Sequence, residues 1–311
     1  MDLILHIGAH RTASTGFQHY MTRNARALRT LGTGFLGPAD TRNGLLTGVV
    51  PMAGIMKPHQ QLRRARARVA INLARQRQSG LDHLIISDEN MMGAPRRNLR
   101  ERALYPDIGL RLARFASVFG DRATRICLSI RSLDSYWASA LAFSVARGHR
   151  LPAPGTLDAL AQSPRGWRDV ITDTACAFPG VEILVLPHEL YAGRPERRLH
   201  LMTGQRDLPK THARDWMNRA PCLTELRRIL RDRGADPGRL PPGDGRWCPF
   251  DTIQTSLLRE TYADDLFWLR AGADGLATLI EETGTVQTGA KPATTQMQRG
   301  QDHGIEDRRL A

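Results

Sequence analysis

Lysine is nearly missing from this chain: of 44 basic side chains in 311 residues, only Lys57, Lys210 and Lys291 are lysines. The others are arginines, planar and permanently charged forks that suit phosphate and sulfate better than a point charge does. Genomic base composition also drives such a bias, so it selects no partner by itself. Cysteine is scarce too. Cys127, Cys176, Cys222 and Cys248 stand far apart with no CxxC pair, which argues against a zinc ribbon, a thioredoxin-like site and a disulfide framework. A reducing compartment is the expected setting. Aromatic residues make up 6%, and no zinc-finger or RNP-like pattern accompanies the arginines, so nucleic acid is a disfavoured partner. Long hydrophobic runs are also lacking. The opening Met1-Asp2-Leu3-Ile4-Leu5-His6-Ile7-Gly8 has an acid where an export signal has basic residues, and its apolar run breaks early. Neither an export signal nor a membrane span is predicted, and a soluble, cytoplasmic protein is expected.

The composition is that of a globular chain, with 41% hydrophobic and 24% charged residues and a net charge of +13. That charge favours anionic ligands over cations. Short apolar runs at residues 3–7, 83–87, 125–130 and 181–186 alternate with amphipathic stretches, the pattern of a parallel sheet wrapped by helices. The expected fold is α/β, a single domain over residues 1–283 with a central parallel sheet. Helices are predicted at residues 15–31, 60–78, 107–119, 133–147, 166–178, 222–233 and 250–270. Residues 32–58, 151–155 and 237–245 read as loops, being rich in Gly and Pro. From residue 284 to 311 periodicity is lost, and a disordered tail is predicted.

The most informative segment is Gly8-Ala9-His10-Arg11-Thr12-Ala13-Ser14-Thr15-Gly16-Phe17-Gln18, where an apolar strand runs into a hydroxyl-rich turn and then a helix. Backbone N–H groups and the helix dipole make such a turn an anion site, to which Arg11 adds a fixed cation. Ser14 or Thr15 also reads as an ordinary helix cap. A nucleoside-triphosphate P-loop, GxxxxGK[ST], fits poorly. With Gly8 on its first glycine, Ala13 falls on the second and Ser14 on the lysine, which disfavours a nucleotide-dependent phosphotransferase.

The same segment resembles the N-terminal loop, similar to GxHKTGTTxLQ, of bacterial sulfotransferases that use 3′-phosphoadenosine 5′-phosphosulfate (PAPS). That resemblance implies a P-loop-kinase-like fold without a metal. It implies that Arg11, Thr12, Ala13, Ser14 and Thr15 hold the 5′-phosphosulfate of the co-substrate. Arg11 stands in for the family's lysine and Ala13 for its loop glycine. Arginine keeps the charge but does not give up its proton, so stabilisation of the leaving group here is electrostatic. The family's second signature is an arginine at a strand end with a serine eight residues on, both holding the 3′-phosphate. Arg131 and Ser139 have that spacing. Weaker similarities place His188 near the adenine and Arg219 in a loop over the nucleotide.

Sulfuryl transfer also needs a base near the acceptor hydroxyl. The strand 83–87 runs into Asp88-Glu89-Asn90. Glu89 is the preferred base, with Asp88 or a histidine as alternatives, and His10 sits next to Arg11 as a further catalytic candidate. The expected partner is a small-molecule or glycan acceptor bearing a hydroxyl, with its pocket shaped by the loops after the first helix and around residues 151–165. The arginine-rich stretch 60–78 reads as a solvated face, a lid over an anionic acceptor, or a nucleic-acid contact. The alternative to an enzyme is an arginine-rich anion- or nucleic-acid-binding protein on a degenerate sulfotransferase scaffold.

Overall fold

A computed structural model describes residues 1–54 and 56–281. The predicted tail, 284–311, and the boundary at residue 283 lie outside the described residues. Six strands form one parallel sheet: β1 (Asp2–His6), β2 (Thr33–Leu36), β3 (His83–Ser87), β4 (Ala123–Ile130), β5 (Glu182–Pro187) and β6 (Thr278–Leu279), in the order β2-β3-β1-β4-β5-β6. The architecture is α/β with helices on both faces, consistent with a P-loop-like fold.

The strands are continuous apolar runs because both of their faces are covered. Period-two alternation divides them between two cores. Leu3, Leu5, Leu84, Ile86, Ile126 and Leu128 face one core, which the longer helices close: α4 (Pro58–Gln78), α6 (Ile108–Phe119), α7 (Leu133–Ala146), α9 (Trp167–Ala177) and α13 (Thr252–Arg270). Ile4, Ile85, Cys127 and Leu186 face the other, packed by Phe17, Tyr20 and Met21 of α1 (Ser14–Arg23), Leu28 of α2 (Ala25–Thr30), and Leu199 and Met202 of α11 (Pro195–Thr203). Each fully buried large apolar side chain contributes about 1.5–3 kcal/mol. Truncating Leu5 to Ala in this packing costs about 2–5 kcal/mol.

Several elements depart from the sequence expectation for identifiable reasons. The helix predicted at 15–31 breaks at Asn24, whose Nδ2 donates to Tyr20 O and Thr211 O and so competes with the backbone ladder. Within the predicted loop 32–58 lie β2, a short helix α3 (Pro38–Asp40) and a π-helical turn at Thr41–Leu45. Gly34 sits inside β2 because a Cβ there would lie 2.5 Å from Leu81 Cδ1. Helices α5 (Pro95–Glu101), α8 (Pro154–Ala161) and α11 each begin with Pro in the first turn. Proline there removes a donor that has no partner anyway, so it opens helices that the sequence reading did not assign, α8 beginning inside the loop expected at 151–155. The remaining helices are α10 (His188–Tyr191) and α12 (Leu223–Asp232). No helix among the described residues is long and apolar enough to cross a membrane.

The connection leaving β1 runs toward β2 and the one leaving β4 runs toward β5, in opposite directions across the sheet. The carboxyl ends of these two neighbours therefore open a crevice, where open α/β sheets bind ligands.

Candidate functional site

The loop after β1 is held from below. Ile7 and Gly8 N–H groups donate to Cys127 O, and Ala9 N–H donates to Ser129 O. Thr12 Oγ1 donates to Ala9 O at 2.6 Å, and the buried Arg198 donates to Thr12 O at 2.7 Å. Arg11 and Ala13 are left-handed, at φ 65° and 64°. Alternation of this kind turns successive N–H groups into a concavity that binds anions. Helix α1 then starts at Ser14 with Ala13 as N-cap and no side-chain cap, so neither Ser14 nor Thr15 acts as the cap and the first-turn N–H groups stay open.

Gly8 has no substitute here. Its φ is 24°, and a Cβ would stand 2.6 Å from Ser14 Oγ and 3.1 Å from the His6 ring.

Arg131 leaves the end of β4 and Ser139 follows two turns into α7. Arg11 Nε donates to Ser139 Oγ at 3.0 Å, and Arg131 donates to Arg11 O at 2.8 Å. The two motifs therefore meet in one cavity of about 1000 Å³. Its wall includes His10, Arg11, Ala13, Ser14, Thr15, Glu89, Arg131, Ser139, His188 and Arg219. Thr12 is the exception among the expected residues. Its hydroxyl is spent on Ala9 and its side chain is wholly buried, so it shapes the loop and does not reach the cavity.

Positive charge dominates the wall. Arg42, Arg96, Arg147 and Arg246 join Arg11, Arg131 and Arg219, against one carboxylate, Glu89. Burial, then Arg131 and Arg147, push Arg11 down to about 10. Burial, then Arg246, bring Arg131 to about 10, with Glu189 and Asp134 opposing. Arg131 Nε is buried without a hydrogen-bond partner. Phe143 of α7 makes cation–π contacts with two arginines, the Arg11 and Arg147 guanidinium carbons lying 4.6 and 3.9 Å from its ring centroid. His188 opens α10, and burial followed by Arg131 and Arg198 holds its imidazole down at about 3. Arg219 stacks 4.4 Å from the exposed Trp216.

The carboxylates after β3 part company. Asp88 is 4% exposed, receives Thr41 Oγ1 and Arg42 at 2.7 Å and Asn90 N–H at 3.0 Å, and does not reach the cavity. Asp88 is therefore a structural cap and is set aside as a base. Glu89 faces the cavity and accepts from Gln18 Nε2 at 2.8 Å and Arg42 at 3.0 Å. Burial raises its carboxyl, but the Gln18 and backbone hydrogen bonds, His10 and Arg42 outweigh it and the net shift is down. His10 lies between Tyr105 Oη, 3.0 Å from Nδ1, and Asn90 Oδ1, 3.2 Å from Nε2. Burial, the largest influence on it, lowers its imidazole below the ordinary value.

Helix α4 adds nothing to this wall. Arg66 donates to Ser117 O in α6 and Arg68 to Gly44 O in the π-helical turn, holding α4 to its neighbours, so a lid role for that helix finds no support. Sequence reasoning missed Arg147, although it follows Ser139 and Phe143 at i+8 and i+4 on one helical face. Arg246 had no local signal: it is placed by an isolated bridge to Cys222 from a loop. No protein-family model, curated protein or solved structure matches this chain.

Proposed function

We propose that this chain is a PAPS-dependent sulfotransferase of the cytoplasm that acts on a hydroxyl acceptor, small molecule or glycan. The observation that carries the reading is the joining of the loop after β1 to Arg131 and Ser139 through Arg11, in a cavity with surplus arginine. The donor has two anionic ends. The open N-terminus of α1, with Arg11, Ser14 and Thr15, suits the phosphosulfate. Arg131 and Ser139, which line the cavity wall beside Arg11, suit the 3′-phosphate. His188 and Arg219 border the space left for the nucleoside. A cavity of this size is at the upper end for small-molecule sites, with room for donor and acceptor together.

In the reaction, the acceptor oxygen attacks sulfur and forms the new S–O bond, while the bond from sulfur to the bridging phosphate oxygen breaks. Arg11 stabilises the charge that develops on that bridging oxygen. Glu89, ionised at neutral pH, takes the acceptor proton, and Gln18 and Arg42 fix its orientation. His10 sits beside the sulfuryl position.

A second reading is favoured by one contact: Arg42 lies 3.0 Å from Glu89 and weakens it as a base, as a protein that binds anions without turnover would tolerate. Incubation with sulfur-35-labelled PAPS and a panel of neutral and acidic hydroxyl acceptors separates the two. Labelled product, lost in Glu89→Gln, supports the enzyme. Retained nucleotide with no product from any acceptor supports the binding protein.

A further inference from the structure

Outside the cavity, His19 near the middle of α1 faces His212 and Asp215 from residues 207–219. His19 Nε2 lies 3.1 Å and His212 Nδ1 2.8 Å from the same atom, Asp215 Oδ2. The three donor atoms all fall within 4.8 Å of one another. The two rings meet edge to face at 88°, with centroids 5.9 Å apart. We infer that His19, His212 and Asp215 form a binding site for a divalent transition-metal ion of the zinc type.

Ligand chemistry selects the metal. Two imidazoles and a carboxylate suit zinc, cobalt or nickel, whereas magnesium and calcium take oxygen-only sets. Metal–ligand bonds of about 2.0–2.2 Å place tetrahedral donors roughly 3.3 Å apart, close to the two distances observed here. The half-exposed Asp215 leaves the outer side to water. The donors are held in place independently of any ion. Tyr20 Oη donates to Pro209 O at 2.8 Å, Asn24 Nδ2 to Thr211 O at 2.9 Å, and Arg214 to Gly193 O at 3.0 Å. Flanking contacts of this kind lower the cost of ordering the ligands.

The consequence lies next along the chain. Trp216 and Arg219, which follow Asp215, belong to the cavity wall, while His19 belongs to the helix that begins at the anion loop. An ion at this site fastens that wall to α1. The inference stands apart from the sulfotransferase reading, since it needs only these three residues.

Calorimetric titration of the full chain with zinc chloride, with magnesium chloride as control, tests it. One zinc per chain is expected, with no magnesium binding. Asp215→Asn keeps a hydrogen-bond acceptor for the imidazoles, yet affinity falls roughly a hundredfold or more, as it does in His212→Ala. Trp216 is 50% exposed while Trp137, Trp167, Trp247 and Trp268 are 8% or less, so acrylamide quenching reports mainly on Trp216. Zinc reduces that quenching in the natural chain and leaves it unchanged in Asp215→Asn. Zinc binding undiminished in both variants would place the ion elsewhere on the chain and overturn the site. No zinc binding at all would reduce the trio to a hydrogen-bonded latch and overturn it equally.

Discussion

Arg11 Nε donates to Ser139 Oγ at 3.0 Å across 128 residues of sequence, fastening the loop after β1 to the helix after β4. The two motifs act as one unit, and their substitutions should not be independent. Arg11→Ala and Ser139→Ala each weaken binding of adenosine 3′,5′-bisphosphate, and the double variant departs from the sum of the two by about 0.5–3 kcal/mol. A calorimetric double-mutant cycle measures that coupling. Additivity would mean that the contact does not bear on the ligand.

Ala13 occupies a left-handed position, at φ 64°, which costs an L-residue roughly 1–2 kcal/mol. Ala13→Gly removes that strain and regains part of it against the greater freedom of glycine when unfolded. Chemical denaturation should show a stabilisation of about 1 kcal/mol. The opposite change at Gly8 is severe, because the added Cβ meets Ser14 Oγ at 2.6 Å in a backbone that already disfavours it. Gly8→Ala should lose about 2 kcal/mol or more.

His6 is buried at the end of β1, its Nδ1 2.7 Å from Ser87 Oγ and its Nε2 without a partner. Burial, then Arg198, holds its imidazole down at about 3, with Glu89 opposing. The folded value lies below the ordinary 6.5, so the unfolded chain binds the proton first. This contribution to stability is complete above pH 6.5 and is lost as pH falls toward 3. At pH 5 the loss is about 2 kcal/mol. Urea melts from pH 7 to 5 should show a shallower decline for His6→Gln than for the natural chain.

Glu89→Gln keeps the size of the side chain and a carbonyl oxygen for Gln18, but cannot take a proton. If Glu89 is the base, kcat falls about 10²–10⁴-fold while bisphosphate affinity changes little. A loss confined to binding would assign Glu89 to the scaffold, with Arg42 as its ion-pair partner.

Much of the fold was legible because buried parallel strands are unbroken apolar runs: His83–Ser87 has the expected limits, and the other three expected strands shift by one or two residues. Short elements at the sheet edges were not legible. β2 contains a glycine that Leu81 demands, and β6 has two residues. Three short helices that open on proline were not assigned from the sequence. At the site, Arg131 and Ser139 could be singled out because their strand-end and helix spacing matches the family signature that the sequence resembles. Thr12 could not be placed, since which way its hydroxyl turns depends on Ala9 O. Nor could Arg246, brought in by a loop over a hundred residues beyond Arg131, or Asp215, which meets His19 across 196 residues.

The nucleotide that the cavity accepts decides between a sulfotransferase and its rivals. Calorimetric titration with adenosine 3′,5′-bisphosphate, beside ATP and an Arg131→Ala control, identifies it most directly. Because charge-assisted hydrogen bonds contribute about 1.5–3 kcal/mol each, the bisphosphate should bind at least roughly tenfold more tightly than ATP and lose that advantage in Arg131→Ala. Absence of bisphosphate binding, or a preference for ATP, would contradict the sulfotransferase reading and leave only the α/β fold standing.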